Sequence, residues 1–158
     1  GKDVRGLNRV HQFDKVEMVA FTRPDDGYAM LETMTELAEG MLEALGLSYR
    51  RLLMCTADMG FTQAKKYDLE VWSPAQERWL EVSSVSTLTD FQARRLETRA
   101  RPGGAGGSGK PGLVHTLNGS ALALPRTVAA LVETYQRDDG RMTVPSVLQP
   151  YVGRDSLG

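Results

Sequence analysis

Val114-His115-Thr116-Leu117-Asn118-Gly119-Ser120, continuing as Ala121-Leu122-Ala123-Leu124-Pro125-Arg126, reads as a short strand that delivers polar groups and runs straight into a helix. Pro125 suits the first helical turn, where a missing N–H costs little. Val128, Leu131, Val132 and Tyr135 then recur at helical spacing and predict the buried face. Arg126 falls near the helix start, where backbone N–H groups already favour an anion, and it adds a planar, permanent charge. Two readings follow. One is a nucleotide phosphate held at a strand-to-helix junction; the other is a surface arginine behind an ordinary Asn-Gly turn. Short motifs of this kind do not decide alone.

The surrounding composition narrows the field. A chain of 158 residues, 41% hydrophobic and 25% charged, fits one globular domain with a real core. A formal net charge of −1 does not demand a nucleic-acid partner, although a local basic patch is compatible with one. The single cysteine, Cys55, excludes an internal disulfide, and with only His11 and His115 beside it a zinc site has too few ligands. In its apolar run Cys55 reads as a buried thiol. No apolar run reaches the roughly 20 residues that span a bilayer, and Gly1 opens no signal-peptide pattern. The charged start without methionine points to a piece of a longer protein.

Leu7 to Phe21 reads as extended, ending at Arg23-Pro24. On one continuous strand Arg9, Phe13 and Glu17 share a face, so a cation, a ring and a carboxylate would stand in a row suited to a nucleotide and an amine. A strand face of mixed polar residues is the plain alternative. Asp25-Asp26-Gly27 opens a helix carrying Met30, Leu31, Met34, Leu37, Ala38, Met41, Leu42 and Leu45, with Gly46 as its stop. Tyr49–Thr56, Tyr67–Trp72 and Trp79–Ser86 read as strands. The short Ser73–Arg78 link predicts an antiparallel pair. Glu81 and Ser84 differ in parity and can share a site only through a bulge, a strand end or a backbone contact. Thr89-Asp90 can cap a short helix through Leu96. Arg94, Arg95, Arg99 and Arg101 form the densest basic cluster, which most simply faces solvent.

The segment 102–112 is a Gly-rich loop. Gly104, Gly106 and Gly109 satisfy G-x-G-x-x-G, and Gly104 with Gly109-Lys110 mimics most of a Walker A motif. The context rejects both: no apolar strand precedes, no helix follows, and Pro111 stands where Ser or Thr should bind magnesium. Gln136–Arg141 is a polar turn. Val144–Gly153 holds a last short helical segment, and 154–158 reads as a frayed tail.

Several strings together carry a family resemblance. Arg5-Gly6-Leu7 with Arg9-Val10-His11-Gln12-Phe13-Asp14-Lys15-Val16-Glu17 resembles the second half of motif 2 in seryl-tRNA synthetases. Asp58-Met59-Gly60, Tyr67–Trp72 and Glu81-Val82-Ser83-Ser84 resemble the sheet that follows it. Asp90-Phe91-Gln92-Ala93-Arg94-Arg95 is similar to a string specific to that family. His115 to Arg126 resembles motif 3, and Pro145 with Leu148–Gly153 the C-terminal end. These matches are collinear over nearly the whole chain. Asn8, Ala57, Val85, Pro125 and the long Gly-rich loop depart from the pattern.

The resemblance implies an α+β fold, an antiparallel sheet flanked by helices. Residues 1–153 would form the C-terminal portion of a class II synthetase catalytic core. It implies ATP and Mg2+ as cofactors, and activation of L-serine to seryl-adenylate with transfer to tRNA(Ser) or tRNA(Sec). Glu17 would bind the serine ammonium, with Ser120 and Asn118 lining the serine pocket. Phe13 would stack on adenine, and Arg9 would meet a phosphate or the substrate carboxylate region. Val82 and Ser83 would contact ATP, Glu81 and Ser84 would hold it through magnesium, and Arg126 would grip the γ-phosphate end. The tRNA-binding arm, motif 1 and the arginine expected on the α-phosphate are not in this sequence, so the isolated chain is expected to be inactive or nearly so. The full-length enzyme would be a homodimer in the cytoplasm, or in a mitochondrion or plastid, with no membrane role. An amino acid–carrier-protein ligase and a non-catalytic synthetase-like paralogue are the alternatives. Serine's carboxylate is ionised at neutral pH, so its attack on phosphorus needs alignment and charge stabilisation, not a general base.

Overall fold

The computed structural model describes residues 4–104 and 107–158. Gly106, and with it the G-x-G-x-x-G match, lies outside the described residues. A five-stranded antiparallel sheet carries the molecule. Its strands are β1 (Lys15–Thr22), β2 (Tyr49–Leu53), β3 (Lys65–Ser73), β4 (Arg78–Thr87) and β7 (His115–Ala123), in the order β1-β7-β4-β3-β2. Two small hairpins complete the strands: β5 (Arg99–Ala100) with β6 (Gly112–Leu113), and β8 (Met142–Thr143) with β9 (Ser156–Leu157).

Helices α1 (Gly27–Ala44) and α3 (Leu124–Tyr135) cover one face of the sheet. Ala38, Leu42, Leu69, Val71, Leu80, Val82, Leu122, Ala130 and Leu131 interlock there as the main core, with Leu31, Met34, Val85 and Leu117 in a second cluster beside it. Gly46, at φ +67°, ends the α1 region as its sequence demands. Helix α2 (Phe91–Leu96) lies against β7, where Thr116 Oγ1 bonds Gln92 Oε1 at 2.7 Å. The short α4 (Gln149–Val152) closes at Gly153.

Several sequence expectations change. Leu7–Phe21 is not one strand. A 3-10 turn occupies Gly6–Asn8, and regular pairing begins only at Lys15. The outermost reason is tertiary: the Asn8 carbonyl accepts from Arg126 and the Asn8 amide donates to Gln76 Oε1 at 2.6 Å. Tyr49–Thr56 shortens to β2, while the stretch from Val114 lengthens into β7. On α3 the buried residues are Thr127, Ala130 and Leu131, whereas Val128 and Val132 are exposed. Small residues let this helix approach the sheet closely, a need that apolar periodicity does not register. Leu37 likewise faces solvent. Asp90 makes no capping bond and pairs instead with Arg94. Cys55 is exposed, not buried. After Lys110 the chain enters β6, so no phosphate-loop helix follows. The tail is not frayed, since Ser156 and Leu157 pair with Thr143 and Met142.

Candidate functional site

On a regular strand the side chains alternate between faces, so the positions reaching the open face of the sheet should keep one parity. Two adjacent strands break that rule at the same level. Between β3 and β4 the register runs Leu69↔Ser83 and then Glu70↔Glu81, stepping past Val82. Between β1 and β7 it runs Val16↔Leu122 and then Glu17↔Ser120, stepping past Ala121. Each extra residue is a bulge, and each shifts the strand's alternation by one. Ser84 opposite Asp68 and Glu81 opposite Glu70 therefore share the open face, despite their different parity. On β7 the same shift sends Leu122 into the core while Ser120 and Ala123 face the open side. Ser83 pins the bulges together: its buried hydroxyl donates to the Ser120 carbonyl at 2.6 Å.

Above the bulges lies a hollow of about 360 Å³. Arg9 and Phe13 from the N-terminal segment, Lys15 from β1, Glu81 from β4, Ser120 from β7 and Arg126 from α3 all line it. Glu17 joins through Ser120, whose Oγ donates to Glu17 Oε2 at 3.2 Å. Lys15 Nζ lies 3.3 Å from the same oxygen. Arg126 bridges the walls. Its Nη1 donates to the Glu81 carbonyl at 2.7 Å, and its Nη2 to the Asn8 carbonyl at 3.0 Å. The hollow is thus cationic along one rim and carboxylate-bearing on its floor.

The sequence-derived residues divide as follows. Arg9, Phe13, Glu81, Ser120 and Arg126 meet in the hollow, with Glu17 bonded to it. Arg9 and Phe13 arrive there from an irregular segment, so the strand-alternation row that grouped them with Glu17 is not what brings them together. Val82 packs its side chain into the core, leaving its backbone for any ligand. The Ser83 hydroxyl is spent on Ser120. Ser84 stands half-buried opposite Asp68. Asn118 lines a separate groove with Val19, Phe21, Gln92 and Arg95.

Glu81 is exposed along β4, yet partial desolvation of its carboxyl raises it above the usual carboxylate range. Neighbouring Asp68 adds to that rise, and Lys66 and Arg126 oppose it. Asp68 Oδ1 is buried and lies 3.2 Å from Lys66 Nζ, yet it forms no well-aligned hydrogen bond among the described residues. Carboxylates crowded in this way gain from a cation placed between them. Glu81, Asp68 and Ser84 offer hard oxygen donors of the kind magnesium prefers. Among the described residues no group of three or more His, Cys, Asp or Glu could hold a metal ion by itself. Lys15, Lys66, Asp68 and the Asn8 carbonyl were not singled out from the sequence. Lys15 alone left a signal, its shared strand parity with Glu17.

Comparison with known proteins adds a separate line. The model of the tRNA synthetase class II core domain (G, H, P, S and T) matches residues 1–135. The serine–tRNA ligase of Salinibacter ruber is 61% identical over 158 residues, all of this chain and 36% of the relative. That of Symbiobacterium thermophilum is 60% identical over 96% of this chain and 35% of its own length. The chain therefore spans about a third of these curated relatives. Among solved structures, the seryl-tRNA synthetase from Pyrococcus horikoshii complexed with ATP superposes with a TM-score of 0.90 at 42% identity, over 99% of this chain and 34% of that one. The cytoplasmic serine–tRNA ligase from Naegleria fowleri in complex with AMP gives 0.86 at 36% identity, over 96% of this chain and 36% of that one.

Proposed function

This chain belongs to the class II tRNA synthetase core family, and from that premise we propose that it carries the nucleotide- and serine-binding part of a serine–tRNA ligase catalytic domain. The observation that supports this most directly is the meeting of Glu17, Ser120, Glu81 and Arg126 around one hollow. Phe13 stacks on adenine at the mouth. Arg126 and Arg9 face the phosphates. Glu17 receives the serine ammonium, while Ser120 faces the small polar side chain. Alanine would leave that polar group unpaired, which is the strongest form of discrimination against a smaller substrate.

In the reaction, a serine carboxylate oxygen forms a bond to the α-phosphorus as the bond to the bridging oxygen breaks, and pyrophosphate leaves with its electron pair. No proton needs to be removed. The chain's contribution is to hold the carboxylate in line and to stabilise charge on the phosphates. Magnesium held by Glu81 beside Ser84 would neutralise the phosphate oxygens. The seryl group then passes to a terminal hydroxyl of tRNA(Ser), in a cytoplasmic or organellar setting. The new ester C–O bond forms as the acyl C–O bond to the phosphate breaks, AMP leaves with its electron pair, and the hydroxyl proton is released to the phosphate or to water. The whole enzyme would act as a homodimer.

The test is calorimetric titration of the 158-residue chain with ATP–Mg2+, then with serine, alanine and threonine. Nucleotide binding with selection for serine is the expected result; no nucleotide binding, or equal affinity for alanine, would remove the proposal. In serine-dependent ATP–pyrophosphate exchange the isolated chain should be near background, because the matched relatives are far longer. Robust exchange would overturn that part.

A further inference from the structure

Glu17 Oε2, the oxygen assigned above to a substrate ammonium, already carries an ammonium. Lys15 Nζ sits 3.3 Å from it, and Ser120 Oγ donates to the same atom at 3.2 Å. The lysine reaches it because residues two apart on a strand share a face, and β1 is regular from Lys15 onward. Lys15 also lines the hollow beside Arg9, Phe13 and Arg126, so its stem is rooted between the carboxylate and the rim assigned to phosphate. Opposite it on β7 stands Ala123, which offers no competing side-chain acceptor.

We propose that Lys15 is a positioning residue that couples amino acid to nucleotide. In the empty protein it occupies the ammonium place on Glu17. An incoming amino acid displaces it, and the released lysine swings to the phosphates of the nucleotide in the same hollow. The Lys15 and Glu17 side chains are 38% and 35% exposed, so their pairing is worth a factor of at most about five and is readily exchanged. A nucleotide phosphate is the better partner for a freed ammonium, since it is a denser anion in the hollow that Lys15 already lines. Coupling of this kind is reciprocal: if serine strengthens nucleotide binding, the nucleotide strengthens serine binding by the same factor.

This inference rests on the serine and ATP assignment above, and the test separates the two. Titrations use the intact chain, L-serine, and an α,β-methylene analogue of ATP that cannot release pyrophosphate. In the unaltered chain, serine should raise analogue affinity about threefold or more. In Lys15→Met that coupling should vanish, analogue affinity should fall, and serine alone should bind up to about fivefold tighter, because nothing has to be displaced. Lys15→Arg should retain coupling. A residue with only a structural role would not tighten serine binding when removed. Weaker serine binding in Lys15→Met, or coupling that survives it, overturns the inference while leaving the serine assignment standing. Failure of the unaltered chain to bind either ligand removes both.

Discussion

On the helix-covered face of the sheet, Arg51 from β2 spans Glu39 and Glu32 of α1, while Lys65 and Tyr67 of β3 also bond Glu32, at 2.8 and 2.9 Å. On the open face, Glu81 and Asp68 crowd together, with one misaligned lysine, Lys66, beside Asp68. The first cluster satisfies itself. The hydrogen bond from Lys65 lowers the Glu32 pKa, the bond to Glu32 raises that of Lys65, and the bond to Glu39 raises that of Arg51. Glu32, Lys65 and Arg51 are each driven further into their charged form. In the second cluster partial desolvation drives Glu81 the other way. The contrast separates charges that pair with one another from carboxylates crowded together with few partners.

Substitutions at four positions test that contrast, from the largest expected effect downward. Arg126→Ala should lower ATP affinity about a hundredfold. It should also destabilise the chain by about 1.5–3 kcal/mol, because its bonds to the Asn8 and Glu81 carbonyls go too. Calorimetry and denaturant melts read the two effects. Arg126→Lys should restore little, since one ammonium cannot span both walls. Next, Gly119→Ala attacks the floor without touching a charge. A Cβ there would stand 2.8 Å from both Val85 methyl carbons, which should cost about 1–3 kcal/mol in urea unfolding.

Arg51→Met should cost about 1 kcal/mol and leave nucleotide affinity unchanged. A drop in affinity would blur the line between the clusters. Last, Glu81→Gln should raise the melting temperature of the ligand-free chain at neutral pH while weakening magnesium-dependent nucleotide binding. The sign follows from linkage. The folded-state pKa of Glu81 lies above its unfolded value of about 4.5, so its contribution is fully present below that pH and is lost as pH rises through the folded value. The variant should flatten stability over that window, and an unchanged pH profile would contradict the desolvation argument.

Much of this was written locally. The α1 periodicity, the Gly46 stop, the Ser73–Arg78 hairpin and the strand-to-helix passage into Pro125 follow from spacing and turn chemistry alone. The site was legible only in pieces. Arg9 and Phe13 were gathered by a strand that does not exist there; Arg126, more than 100 positions away, holds that segment by its backbone. The face of α3 was misread because Thr127 and Ala130 do the packing by being small. Lys15 stayed unremarked because its shared parity with Glu17 was one polar position among several on that segment. The Glu81 and Ser84 parity conflict could be resolved by a bulge, but which residue supplied it depended on pairing with β3.

Those two surplus residues, Val82 and Ala121, set the phase of everything around them. Strict alternation counted from Ser120 would put Leu122 on the open face and Ala123 in the core; the surplus Ala121 is what reverses the two. Any redesign of this sheet by simple in-out alternation would therefore plant grease in the hollow, unless it counts each kink as a half-step.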